Sequence, residues 1–285
     1  MRPRSYLYVP GDREDRFARA AERGADALVF DLEDAVAAAA KDRARAAVAR
    51  HLAALAPTGP GPQNWVRVDA DRLDADVAAV TGPALAGVLL PKASVESLHR
   101  IDSLLADAER AAGMATGSVA VVPVVETAAG LLETAALARG PRVARLAIGE
   151  ADLAAELGVV PGPDRAELAP HRAQLVVASA AARLAGPIAP VETDLTVSDD
   201  ALVASTAALL RQGFRARTAV HPRQVPSINA AFTPSTDELD RARGIVETLE
   251  SAGSGVAVDP RTGRMLDEAV VRSARDVLSR ATTPR

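Results

Sequence analysis

Eight short apolar segments recur along this chain, and a helical pattern follows each of them. The strand-like stretches fall at residues 6–9, 27–31, 65–68, 87–90, 119–125, 145–148, 188–191 and 218–220. Helical patterns stand between them, as at 13–23, 39–55, 95–112, 130–138, 167–184 and 199–211. Parallel strands need a crossover between them, usually a helix, so strict alternation predicts a parallel sheet. Eight repeats predict closure into a (β/α)8 TIM barrel. A chain of 285 residues suits one such barrel with an extension. Aromatic residues supply only 2% of it against 48% hydrophobic, so branched aliphatics and alanine must fill the interior.

The pattern changes after Phe232. A helix near 236–251 leads through the Gly-rich turn at 253–255 into the hairpin-like GVAVDPRTGRMLD and a last helix ending near Ala281. The expected division is therefore a barrel over residues 1–232 and a helical/hairpin extension over 233–285. So short a tail cannot bury a core of its own, and it is expected to pack on the barrel or on a neighbouring subunit. The loop at 57–62, rich in Pro and Gly, reads as a surface connection, because the alternation continues across it.

Charge and composition exclude several functions. A net charge of −4 gives no electrostatic case for nucleic acid or an anionic membrane surface. The absence of cysteine excludes disulfides and thiolate metal sites. No apolar run approaches the ~20 residues of a membrane span, and the first fifteen residues hold none of signal-peptide length. The expectation is a soluble, cytoplasmic protein.

Charged residues gather where the strands end. Asp31, Glu33 and Asp34 close VFDLED, Arg67 lies in WVRVD, Glu126 closes VAVVPVVE, and Asp152 closes LAIGEAD. In a barrel of this kind the loops after the strands share one rim, so acids recurring there read as a site. Glu126 and Asp152 stand at the ends of consecutive strands, and hard oxygen ligands of that number suit Mg2+, with waters completing the octahedron. Either acid alone could instead cap a helix or join an ion pair. Arg67, flanked by Val66 and Val68, is expected to point to the barrel interior or mouth, where a guanidinium needs an anion. That anion is a substrate carboxylate or enolate, or, as a purely structural pair, Glu33 or Asp34. Asp31 faces the interior or the rim and is given no role. Of 33 basic residues only Lys41 and Lys92 are lysines. A Schiff-base mechanism would have to use Lys92, since Lys41 falls in a charged helical stretch. Lys92 reads equally as a strand-end salt bridge, and His221 as a structural hydrogen bond.

These blocks carry a resemblance. SYLYVPGDREDRFARAAERGADALVFDLEDAV, VRV, GVLLPKA, PVVETAAG, IGEADLAAELG, AVHPRQV and GRMLDEAVVRSA together resemble, in order, the HpcH/HpaI aldolase and citrate lyase beta-subunit family. The resemblance implies a TIM barrel, a homotrimer, bound Mg2+, and the making or breaking of a carbon–carbon bond between an acyl-CoA and an α-keto acid. It implies Glu126 and Asp152 as metal ligands, and Arg67 with Glu126 as substrate contacts. Glu33 and Asp34 match acids that hold metal-bound waters, and Asp267 matches an acid/base brought in from a neighbouring subunit. Without the resemblance, Asp267 reads as a cap of the final helix. The chain departs from the family in reading Glu126-Thr127-Ala128-Ala129-Gly130 where relatives usually have ETARG. Two other readings stand beside this one: a metal-dependent pyruvate aldolase acting on free acids, and a catalytically silent binding protein.

Overall fold

The eight strands are parallel and pair in sequence order, with the first hydrogen-bonded to the last, so the sheet closes on itself. The structure is a computed structural model that describes residues 2–57, 61–253 and 255–281. Residues 58–60 of the Pro/Gly-rich loop and Ser254 of the Gly-rich turn lie outside the described residues. The strands are β1 (Ser5–Pro10), β2 (Ala27–Asp31), β3 (Gln63–Arg67), β4 (Leu85–Leu90), β5 (Ala120–Val125), β6 (Ala147–Ile148), β7 (Ile188–Ala189) and β8 (Ala216–Ala219). Between them run α1 (Phe17–Ala21), α2 (Lys41–Ala53), α3 (Leu73–Val80), α4 (Val95–Ala111), α5 (Ala128–Leu132), α6 (Thr134–Leu137), α7 (Glu150–Leu157), α8 (Ala169–Ala181) and α9 (Asp199–Gln212). After β8 comes α10 (Gln224–Phe232). This is the (β/α)8 barrel that the alternation predicts.

Strand geometry turns alternate side chains inward. The inward set includes Tyr6, Val29, Trp65, Leu89, Val122, Val124 and Ile188, packed as one apolar core. Tyr6 meets Trp65 edge-on, with ring centroids 5.8 Å apart. The single tryptophan fits because Gly87 faces it, for a Cβ there would lie 2.3 Å from the indole. Truncating an aromatic in such a place costs on the order of 3–5 kcal/mol.

Strand ends differ from the sequence pattern in two places. β7 stops at Ala189 because Pro190 has no N–H to continue the ladder. β8 begins two residues before the apolar signal, at Ala216, since Arg217 is a buried strand residue. Its guanidinium is held by Pro190 O, Ser205 Oγ and Thr206 Oγ1 at 2.7–3.0 Å. Burial pulls the Arg217 pKa down to about 10.

The chain divides into two compact units, one from Arg2 to Asn229 and the other from Ala230 onward. In the second, α11 (Thr236–Ala252) packs against α12 (Glu268–Ala281). Between these helices runs an antiparallel hairpin of β9 (Ala257–Val258) and β10 (Met265–Leu266). Ser235 and Glu238 form a capping box at the start of α11. Among the described residues no helix is long and apolar enough to cross a membrane.

Candidate active site

The carboxyl ends of the strands open into a cavity of about 840 Å3, lined among others by Tyr8, Asp31, Asp34, Arg67, Glu126 and Asp152. The loop after β2 is fixed at this rim from two sides. Leu32 N–H donates to Arg67 C=O at 2.9 Å, which extends the ladder past Asp31. The Lys41 ammonium donates to the carbonyls of Leu32 and Glu33 at 2.8 and 2.7 Å, and pairs with Asp69 at 2.8 Å. Lys41 is thus a brace for the loop that carries Glu33 and Asp34.

Arg67 ends β3 directly across from Asp31 in the parallel register. Its Nε and Nη2 donate to Asp31 Oδ1 and Oδ2 at 2.8 and 2.6 Å, a bidentate pair. Nη1 donates to Asp34 at 3.3 Å. Glu33 Oε2 lies 2.8 Å from Nη1, yet it accepts no hydrogen bond in good geometry and remains an unsatisfied buried oxygen. That contact is an ion pair only. The guanidinium also lies over the Tyr8 ring, 5.0 Å from its centroid. Three of its five N–H donors are taken, which leaves two for an incoming anion. Asp31, given no role from sequence, is the principal partner of Arg67, and Tyr8 is a second lining residue that sequence reasoning missed. The TIM-barrel register was the signal that could have found Asp31.

Glu126 follows β5 and is buried. Its Oε1 accepts Lys92 N–H at 2.7 Å. It does not cap α5, because Thr127 does so by accepting Gly130 N–H at 3.0 Å. Burial pushes the Glu126 pKa up to about 7; the Lys92 N–H and Arg67 oppose the rise, and the Glu33 and Asp152 charges add to it. Gly149 is packed against this carboxylate, so that a Cβ there would sit 2.4 Å from Oε2. Gly149→Ala should therefore displace Glu126, destabilise the fold by about 1–3 kcal/mol and weaken cation binding. Thermal melts and Mg2+ titration would show this, and an unchanged variant would refute the contact.

Asp152 sits in the first turn of α7, one helical turn beyond β6, and is exposed to the cavity. Among the described residues it makes no hydrogen bond or ion pair. Its neighbour Glu150 instead pairs with the buried Arg172, with Nη2 2.9 Å from Oε2. Lys92 has a left-handed backbone, φ 47°, and donates from Nζ to Glu33 Oε1 at 3.0 Å. That bond raises the Lys92 pKa, which is opposite to what an imine-forming amine needs. His221 Nδ1 accepts Arg223 N–H at 3.2 Å, a turn contact. Asp267 lies in the second unit, where its Oδ1 accepts Val270 N–H at 3.0 Å and caps α12.

Among the described residues no three acidic or imidazole side chains are grouped to hold a metal ion by themselves. The pair Glu126 and Asp152 nevertheless fits a hard divalent cation that keeps waters. One carboxylate is buried among like charges with its pKa raised, the other has no protein partner, and both line one cavity.

The family model for HpcH/HpaI aldolase/citrate lyase matches residues 4–222. The chain is 32% identical to citrate lyase subunit beta of Escherichia coli, over 98% of this chain and 93% of that one. It is also 32% identical to a (3S)-malyl-CoA thioesterase of Cereibacter sphaeroides, over 98% and 94%. Among solved structures, protein CitE of Mycobacterium tuberculosis in complex with magnesium, acetoacetate and coenzyme A superposes with a TM-score of 0.79, 28% identity and 98% coverage of both chains.

Proposed function

We propose a reaction on the premise that this chain belongs to the HpcH/HpaI aldolase/citrate lyase family and is an enzyme of lyase type. It is a Mg2+-dependent lyase or synthase that joins an acyl-CoA to an α-keto acid, or cleaves the resulting malyl-CoA- or citramalyl-CoA-like 3-hydroxyacyl-CoA. The observation that carries this reading is the convergence of Glu126, Asp152 and Arg67 on one cavity. Support also comes from the similar structure that holds magnesium, acetoacetate and coenzyme A.

Glu126 and Asp152 hold the cation, while Glu33 and Asp34 orient its waters. When bound, Mg2+ supplies Lewis-acid stabilisation of negative charge on the keto oxygen. The two unused N–H donors of Arg67 bind the keto-acid carboxylate and fix its orientation. In the synthetic direction, the Asp267 carboxylate of a neighbouring subunit removes a proton from the thioester α-carbon. The enolate carbon then forms a bond to the keto carbon, the carbonyl π pair moves onto oxygen beside Arg67, water protonates that oxygen, and the hydroxide left takes the proton from Asp267, restoring its carboxylate. Cleavage is the reverse. The shared site requires an oligomer, and we propose the homotrimer that the resemblance implies.

A panel of CoA thioesters with glyoxylate, pyruvate or oxaloacetate should yield a new carbon–carbon product only when Mg2+ is present, read by mass spectrometry. Equal turnover of free acids without CoA would favour the pyruvate aldolase. Because a thioesterase is as similar as citrate lyase subunit beta, hydrolysis is a second reading. Release of free CoA thiol with no keto acid formed would identify it. A borohydride-trapped keto-acid adduct on Lys92 would overturn the metal mechanism.

Proton competition gives a further expectation. With the Glu126 pKa near 7, the carboxyl must lose its proton to hold a cation. Apparent Mg2+ affinity should fall about tenfold per pH unit below 7 and level off above it. Calorimetry across pH 5.5–8.5 checks this; a flat profile would exclude Glu126 as a ligand.

A further inference from the structure

Tyr8 is a polar residue of the cavity used by neither the ion-pair cluster nor the proposed cation site. Tyr8 points into the barrel from β1, its ring packed against the interior core and beneath Arg67. It also lines the cavity. Among the described residues its hydroxyl has no hydrogen-bond partner, and that oxygen is not among the sealed, unsatisfied atoms, so it is open to the cavity. Phenylalanine would supply the same ring packing, so packing does not account for the hydroxyl. Burial holds the phenol above its ordinary range; Arg67 opposes this, while the nearby Asp31, Glu126 and Glu33 charges reinforce it. The group is therefore an O–H donor at working pH. Tyrosine hydroxyls in such surroundings usually find a partner.

We propose that Tyr8 is a substrate-binding residue, its hydroxyl donating to a carboxylate oxygen of the α-keto acid seated beside Arg67. This rests on the metal and keto-acid reading above. A guanidinium and a neutral donor on the same cavity wall together match an anion with two oxygens, without adding a second positive charge.

The chain has only two tyrosines, so 3-fluorotyrosine labelling gives two 19F resonances, and Tyr8→Phe identifies which is which. Pyruvate added with saturating Mg2+ should shift the Tyr8 resonance and leave that of Tyr6 in place. By calorimetry, Tyr8→Phe should bind pyruvate roughly ten- to a hundredfold more weakly, as expected for a hydrogen bond to a charged group, with Mg2+ affinity unchanged. If pyruvate binds wild type and variant equally and the Tyr8 resonance stays put, the assignment falls while the cation site stands. If pyruvate with Mg2+ fails to bind the wild type, the keto-acid reading falls, and this inference with it.

Discussion

Replacing Glu126 with glutamine should abolish Mg2+-dependent turnover while leaving the barrel at least as stable as before. Glutamine keeps an oxygen for the Lys92 N–H and occupies nearly the same volume beside Gly149. What it removes is the charge. That charge is costly in place, since burial and the neighbouring carboxylates already push Glu126 toward its protonated form. A neutral amide should therefore hold or raise the melting temperature. Function should move the other way. Loss of groups that merely orient metal ligands costs 10–100-fold in affinity, so loss of a ligand should weaken Mg2+ binding by roughly a hundredfold or more. Asp152→Asn should behave alike, because Asp152 has no protein partner to lose among the described residues. Calorimetric titration with Mg2+ decides the matter, and unchanged affinity in both variants would sink the metal assignment.

Mixing two dead variants should restore about a quarter of wild-type activity, if each site combines one subunit's barrel with its neighbour's tail around a closed ring. The pair to use is Glu126→Gln with Asp267→Asn. Asparagine still accepts the Val270 N–H, whereas alanine would cost about 1 kcal/mol of helix capping. Arg67 variants are unsuitable partners. Removing that guanidinium would strip the buried Asp31 carboxylate of its cation and leave Glu33 with Lys92 alone, a loss of roughly 3–5 kcal/mol that would confuse misfolding with inactivity. Native mass spectrometry should find trimers containing both variants. Mixed trimers that remain inactive would sink the shared-site idea and leave Asp267 with its capping role alone.

The barrel was legible because each parallel strand and its crossover helix leave a local, repeated mark in the chain. Positions such as Glu126 and Asp152 could be found by where the strands stop. The partner of Arg67 was not legible in the same way. Asp31 is 36 residues away, and only the register of β2 against β3 sets the two side by side. Nothing local marks Gly149, since the sequence does not record that a carboxylate from the preceding strand rests on it. Arg217 hid the start of β8, because a buried charge reads as a surface residue until its carbonyl and hydroxyl acceptors are seen. Nothing in the strand pattern sets Tyr8 apart, since its ring packs in the core and only the fold shows that it also lines the cavity.

The scarcity of lysine has a practical consequence at the rim of the barrel. Lys41 is sheltered and fully engaged by two carbonyls and Asp69. The Lys92 side chain is 52% exposed and held by a single carboxylate. Apart from the chain's α-amine, an amine-reactive dye or surface coupling therefore has essentially one place to go. An environment-sensitive fluorophore attached there would report occupancy of the cavity directly, while random amine immobilisation would tether the enzyme by its own entrance.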